Sequence, residues 1–182
     1  MTLWLVRHAQ PLVATGVCYG ASDIAADPAA TQAAAHSLAD ALPDGVTVIS
    51  STLQRCERLT QVLRGLRPDF AYKSDTRLQE MDFGEWETKR WDSIPRAELD
   101  AWTHAFATWR CGGAESVGDF MARVGAVWDE SLAVNQPVVW ITHAGVIRAA
   151  TLLANGVRHI DDATQWPAQA PAFGDWITLR RA

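Results

Sequence analysis

Two histidines and two arginines, far apart in the chain, stand just after short apolar runs. Arg7-His8 follows Leu3-Trp-Leu-Val6. Ser50-Ser51, with Arg55 beyond, follows Val46-Thr-Val-Ile49, and Thr142-His143, with Arg148 beyond, follows Val138-Val-Trp-Ile141. Arginine is a permanently charged planar fork that matches the oxygens of a phosphate or a carboxylate. A neutral imidazole beside such forks is a competent nucleophile toward phosphorus, and the nearby positive charge favours the neutral ring. Metal binding fits poorly, because guanidinium groups repel a cation and no third ligand accompanies the two histidines. A serine hydrolase fits less well still, since the sequence lacks a G-x-S-x-G elbow.

For these groups to act together, the apolar runs must be strands of one sheet. Continuous rather than alternating hydrophobicity marks strands buried on both faces, as in a parallel sheet covered by helices. Between them lie helical segments. Asp27-Pro28 offers an N-cap and a proline at the first helical position, opening an alanine-rich helix to about Leu42. A second helix is expected from about Leu53 to Leu66, ended by Gly65 and Pro68. Phe70 to Lys73 reads as a weaker strand, and Glu98 to Trp109 as a helix on the spacing of Trp102, Phe106 and Trp109. Ser116 caps an amphipathic helix with Asp119 in the box position, its apolar face being Val117, Phe120, Met121, Val124, Trp128 and Leu132. Gly145 to Ala154 is a further helix and Trp176 to Leu179 a last strand. This alternation predicts an α/β three-layer sandwich, a mainly parallel central sheet flanked by helices, in a single domain spanning residues 1–182. Ligands bind at the carboxyl ends of strands in such sheets, so the histidines and arginines should converge at one sheet edge.

The totals agree with this. The chain has 182 residues, long enough for one compact domain with a sizeable core. Its net charge of -5 argues against general affinity for nucleic acid or anionic membranes, so an anionic ligand needs a local cluster of arginines. Cys18, Cys56 and Cys111 are odd in number and widely spaced, which suits a reducing compartment rather than a disulfide framework or a zinc site. With no charged n-region or membrane-length apolar stretch, a cytoplasmic location is expected.

At this point the residues resemble a known family. Leu5-Val-Arg7-His8 is similar to the signature that opens histidine phosphatases of the phosphoglycerate mutase-like superfamily, and Ser50-Ser51-Thr-Leu53-Gln-Arg55 resembles their second motif. Leu78-Gln-Glu80-Met-Asp-Phe83-Gly84-Glu-Trp86-Glu87 is similar to the segment that carries the acid. Gly112-Gly113-Ala-Glu115-Ser116 and Thr142-His143-Ala-Gly145-Val-Ile-Arg148 complete the series in order. The resemblance implies a metal-independent phosphomonoesterase with no organic cofactor and a small phosphorylated metabolite as substrate. His8 is then the nucleophile that becomes a phosphohistidine. Arg7, Arg55 and His143 hold the phosphoryl oxygens, and Glu80 is the proton donor, kept protonated by partial burial. Asp82, Glu85 and Glu87 are the neighbouring alternatives to Glu80. His8 should have its other ring nitrogen fixed by a backbone carbonyl.

Departures from the family pattern carry their own expectations. Ala9 replaces a usual glycine and requires ordinary backbone there. Gln10, Pro11 and Ala14 replace commonly polar positions, so one phosphate contact is expected from backbone N–H groups near Gly20. Thr88 stands where glycine often follows Trp-Glu. The loop Gly16-Val-Cys18-Tyr19-Gly20-Ala-Ser-Asp23 is similar to that of the α-ribazole phosphatase branch, which serves cobalamin biosynthesis. Two other functions stay open: a phosphoglycerate mutase-type phosphotransferase, and a non-catalytic phospho-ligand binding module that kept the pocket.

Other residues are read more plainly. Arg148 is expected to be a structural ion-pair donor, and His36, His104 and His159 to be solvated. Cys18 is expected to be an unreactive loop residue. Trp4, Trp128 and Trp140 should pack in the core. Trp86, Trp102, Phe106 and Trp109 are expected to pack in the core, with contact of some of them to an aromatic or hydrophobic leaving group as the alternative.

Overall fold

The structure is a computed structural model that describes residues 2–134 and 136–180. Its strands are β1 (Thr2–Arg7), β2 (Thr47–Ser50), β3 (Ala71–Ser74), β4 (Val138–Thr142) and β5 (Trp176–Arg180). Its helices are α1 (Pro28–Ala41), α2 (Gln54–Leu66), α3 (Arg96–His104), α4 (Val117–Leu132) and α5 (Ala144–Ala154). One five-stranded sheet has the order β3-β2-β4-β1-β5; neighbours among the first four are parallel, and β5 returns antiparallel along β1. The expected α/β sandwich with a mainly parallel sheet is borne out.

Period-two alternation divides the strands between the two layers. Leu3, Leu5, Val138 and Trp140 point to the face covered by α4 and α5, in a cluster with Phe120, Val124, Val146 and Ile147. Val6, Val139 and Ile141 point to the other face, against Leu38 of α1 and Leu59 and Leu63 of α2. Because β4 is central and covered on both sides, each of its five residues is buried, which is why its run is apolar throughout.

Two of the five helices, α1 and α4, start on a side-chain cap. Asp27 Oδ1 accepts from the Ala30 N–H at 2.7 Å, and Ser116 Oγ from the Asp119 N–H at 3.1 Å, each occupying an orphan donor of the first turn. Two expectations need correction. Gly65 lies inside α2, which runs to Leu66 before Arg67 and Pro68 end it. Helix α3 stops at His104 instead of continuing to Trp109. The Ala107 carbonyl turns to accept from Gly118 at the start of α4, and Trp109 is left exposed. Among the described residues no helix is long and apolar enough to cross a membrane.

Candidate active site

Strand register brings the two histidines together. Arg7 of β1 is paired with Thr142 of the adjacent parallel β4. The residues that follow, His8 and His143, therefore leave neighbouring strands at one sheet edge, with the His8 N–H bonded to the Thr142 carbonyl at 3.0 Å. Their ring centroids are 5.2 Å apart. Ser51, following β2, joins the same edge through its N–H to the Ile141 carbonyl. The convergence expected from sequence is observed.

His8 is 2 % exposed and its Nδ1 lies 2.7 Å from the Ala9 carbonyl. A carbonyl only accepts, so Nδ1 carries the proton and Nε2 keeps its lone pair. Burial, then the Arg55 charge, lower the ring's pKa to about 3, overcoming the opposite pull of the Ala9 carbonyl; Arg7 adds to the lowering. A neutral imidazole with a free Nε2 is a nucleophile at neutral pH. The expected carbonyl partner is present, and Ala9 has an ordinary φ.

His143 stands behind this ring, buried and off the cavity surface. Its Nδ1 accepts from Arg55 Nε at 3.3 Å, and its Nε2 donates to Ser51 Oγ at 2.8 Å. Both nitrogens are thus engaged within the protein. For His143 to hold a phosphoryl oxygen, Nε2–H must exchange Ser51 for the ligand.

Arg55 is fully buried, its Nη1 donating to the Ser22 carbonyl (2.8 Å) and its Nη2 to the Gly20 carbonyl (2.6 Å). The N–H groups of that loop do not face the cavity, contrary to expectation. Gly20, Ala21 and Ser22 donate to the Glu87 carboxylate, which also takes the Phe83 N–H. Glu87 therefore secures the loop whose carbonyls grip Arg55. Gly20 is needed there because a Cβ would lie 1.8 Å from the Met81 carbonyl oxygen. Beside it Thr88 takes φ 66°, a left-handed backbone that glycine adopts without strain.

Arg7 donates from Nη1 to the Pro171 carbonyl and lies over the Phe173 ring, 3.8 Å from its centroid. Phe173 also packs on His8. Seven arginines pair with carboxylates; of those that form no ion pair among the described residues, three are Arg7, Arg55 and Arg148. Within an acidic protein, these three charges are left facing one cavity.

Glu80, half-buried, is held by two backbone donors, Met81 N–H to Oε1 (3.0 Å) and Gly145 N–H to Oε2 (2.9 Å). Gly145 is required, since a Cβ there would lie 2.2 Å from Glu80 Oε1. Arg123 gathers the carbonyls of Arg77, Gln79 and Glu80 while its Nε meets Glu115 at 2.6 Å. That brace gives Glu115, in the fourth motif, a visible task. Of the acidic neighbours, Asp82 caps the Gly84 N–H and Glu87 secures the loop; neither they nor Glu85 line the cavity.

A cavity of about 370 Å3 opens here, lined on its polar side by Arg7, His8, Tyr19, Arg55, Glu80 and Arg148. Phe83, Trp91, Trp102, Phe120 and Trp166 supply an aromatic wall. Of the four aromatics expected in the core, Trp86 and Phe106 are core residues, Trp102 instead lines the cavity, and Trp109 points elsewhere. Arg148, expected as an ion-pair donor, is instead a wall residue, its Nη2 donating only to the Ala168 carbonyl. Sequence reading singles out the loop of Tyr19 but misses Trp91 and Trp166, which lie outside the α-helices in segments without periodicity. Trp128 and Trp140 are core residues, while Trp4 is half-buried against Trp176. His36, His104 and His159 are exposed. Cys18 is buried, its thiol pushed up to about 12 mainly by burial, and so unreactive. Among the described residues no three His, Cys, Asp or Glu side chains are grouped to hold a metal ion.

Comparison with known proteins gives the same picture. The profile of the histidine phosphatase superfamily, branch 1, matches residues 3–169. The structure of the mycobacterial glucosyl-3-phosphoglycerate phosphatase is similar with a TM-score of 0.78 and 26% identity, over 98% of this chain and 89% of that one. The same phosphatase in complex with VO3 gives 0.79 and 26%, over 98% and 92%. TTHB049 from Thermus thermophilus gives 0.73 and 28%, over 98% and 93%. No curated protein matches the sequence.

Proposed function

The chain belongs to the histidine phosphatase superfamily, and on that footing we propose that it hydrolyses a phosphate monoester in two in-line displacements through a phosphohistidine on His8. The observation that carries the reading is the state of His8: a neutral ring with Nδ1 tied to Ala9 and Nε2 free at a cavity that Arg7, Arg55 and Glu80 share.

In the first displacement Nε2 forms a bond to phosphorus as the ester P–O bond breaks. Its electron pair goes to the leaving oxygen, which takes the proton of the Glu80 carboxyl. Arg7 and Arg55 hold the equatorial oxygens as charge redistributes, and His143 joins them once its Nε2–H leaves Ser51. In the second, the Glu80 carboxylate takes a proton from water, the oxygen attacks phosphorus, and the P–N pair returns to Nε2. The step needs neither a metal nor an organic cofactor, because the guanidinium groups supply the positive charge.

His8→Ala should fold normally and lose turnover, and an acid-labile phosphoryl label should appear on wild type only. Stable label on Ser51, or full activity in the variant, would overturn the mechanism. A panel of phosphorylated metabolites then identifies the substrate. α-Ribazole 5'-phosphate belongs in it, because the loop resembling that branch contributes Val17 and Tyr19 to the cavity and the aromatic wall suits its base. Glucosyl-3-phosphoglycerate belongs in it through the mycobacterial relative. A second phosphorylated substrate that outcompetes water for the phosphoenzyme would mark a mutase-type transferase instead.

A further inference from the structure

A guanidinium that serves an anionic ligand must be held still while its charge and its donors stay free. A carboxylate partner would spend both, and Arg7 has none among the described residues. Two neighbours accept hydrogen bonds from its edge, the Pro171 carbonyl at 3.0 Å and the Tyr19 hydroxyl. A third neighbour lies on its face. The centroid of the Phe173 ring is 3.8 Å from Arg7 Cζ, within the range of a cation–π contact. Such a contact uses no N–H donor, because all the donors of a guanidinium lie in its plane. The same ring packs on His8, with centroids 5.6 Å apart. Phe173 thus touches both the proposed nucleophile and a proposed phosphate fork, yet it does not line the cavity.

The backbone sets this ring in place from both sides. Before it, the Pro171 carbonyl is tied to Arg7 Nη1. After it, the Gly174 N–H reaches the carbonyls of Arg7 and His8 at 3.2 and 3.0 Å, and the Asp175 carbonyl accepts from the Arg7 N–H at 2.9 Å. Phe173 is therefore pinned to the end of β1, and a different side chain there leaves these backbone bonds standing. The residue lies outside the helices and strands, in a segment without periodicity, so nothing in the sequence marks it.

Resting on the phosphatase reading, we propose that Phe173 is a positioning residue with two tasks: its face fixes the plane of the Arg7 guanidinium for the phosphoryl oxygens, and its bulk keeps water from His8. The first task needs an aromatic face, whereas the second needs only apolar volume. His8 otherwise faces the charges of Arg7 and Arg55, the ring of His143 and the Ala9 carbonyl. Burial does most to keep it neutral. Removing the cover of Phe173 lessens that burial and leaves both charges in place, so protonation becomes easier without becoming ordinary.

Substitution separates the two tasks, with inorganic phosphate as the probe and NMR as the readout. Phe173→Leu keeps the apolar volume and loses the face. Its phosphate Kd should rise about fivefold while the His8 midpoint stays where it is in wild type. Phe173→Tyr, which keeps the face, should hold Kd within about twofold of wild type. Phe173→Ala should lose the same affinity and also raise the His8 midpoint by about one pH unit. Phe173→Val takes its place if the alanine variant does not fold. The route through Arg7 is read in an Arg7→Met background, where Phe173→Leu should change Kd by less than about twofold. An unchanged Kd in Phe173→Leu overturns the inference, and so does a loss that persists undiminished beside Arg7→Met. An unmoved His8 midpoint in folded Phe173→Ala or Phe173→Val overturns the second task. Each of these leaves the phosphatase reading standing. Wild type that binds no phosphate and takes no label on His8 removes both.

Discussion

The Nε–H of Arg55 donates to Nδ1 of His143, and this contact settles where the proton of that imidazole lies. A guanidinium has no lone pair to offer, so Nδ1 must accept and the ring proton sits on Nε2, from where it reaches Ser51. His8 has the opposite tautomer, with its proton on Nδ1 toward Ala9. Two adjacent rings are thereby fixed in complementary states, one with Nε2 as a base and one with Nε2 as a donor.

Ring titration followed by NMR checks this. Burial and the Arg55 charge hold His143 well below the usual histidine range and His8 at about 3. Neither ring should titrate between pH 8 and pH 5, and their nitrogen shifts should show the two different neutral tautomers. A midpoint near 6.5 for either ring would break the account of a nucleophile kept neutral by its surroundings.

Stability should carry the same signature with a definite sign. Both rings have folded-state pKa values below the unfolded value of 6.5, so the unfolded chain binds more protons in acid. The stabilisation is fully present above pH 6.5 and is lost as pH falls from there toward about 3. Each ring contributes a slope of up to about 1.4 kcal/mol per pH unit. Thermal melts of wild type should therefore fall across this window more steeply than those of His8→Ala. Parallel curves would show that His8 does not carry the proton deficit.

How much of this is legible in the sequence depends on what each residue's position requires. Strand β4 announces itself because a strand covered on both faces must be apolar at every position. The site edge follows from what comes next in the chain, since parallel register carries Arg7 to Thr142 and then imidazole to imidazole. Loops give no such lever. The aromatic wall takes Trp91 and Trp166 from segments outside the α-helices and only Trp102 from α3, with no shared period, and Trp86 and Phe106 are aromatic too yet face the core. Arg148 defeats the sequence reading because its place in a helix does not say which way it faces, and the folded chain puts it at the cavity wall with no carboxylate partner among the described residues.

Gly145→Ala should damage the reaction through its neighbour. The added Cβ would fall 2.2 Å from Glu80 Oε1, so the carboxylate must leave its two backbone donors. If Glu80 is the acid, kcat falls roughly a hundredfold, in the range of general acid catalysis. Phosphate affinity, which the proposed mechanism assigns to Arg7 and Arg55, should change little. Glu80→Gln should give a loss of similar size, and the double variant should cost no more than either alone. Independent, multiplying losses would separate Gly145 from the acid and place proton transfer elsewhere.

The loop bound to Glu87 offers the most indirect of these tests. Its carboxylate takes the N–H groups of Gly20, Ala21, Ser22 and Phe83 together with the Ser22 hydroxyl, while the carbonyls of Gly20 and Ser22 hold Arg55 from the other side. Glu87→Gln keeps the shape but has only one accepting oxygen, so several of these donors lose their partner. A cost of about 2 kcal/mol follows, read as a fall in Tm of roughly 4–8 °C. A loop acting only as scaffold would stop there. Because Arg55 is the second cause of His8's lowered pKa, loosening its grip should also raise the His8 midpoint toward the ordinary histidine value, with burial still holding it below. An unchanged His8 titration in a destabilised Glu87→Gln would mean that Arg55 keeps its place without the loop, and that Glu87 serves the fold alone.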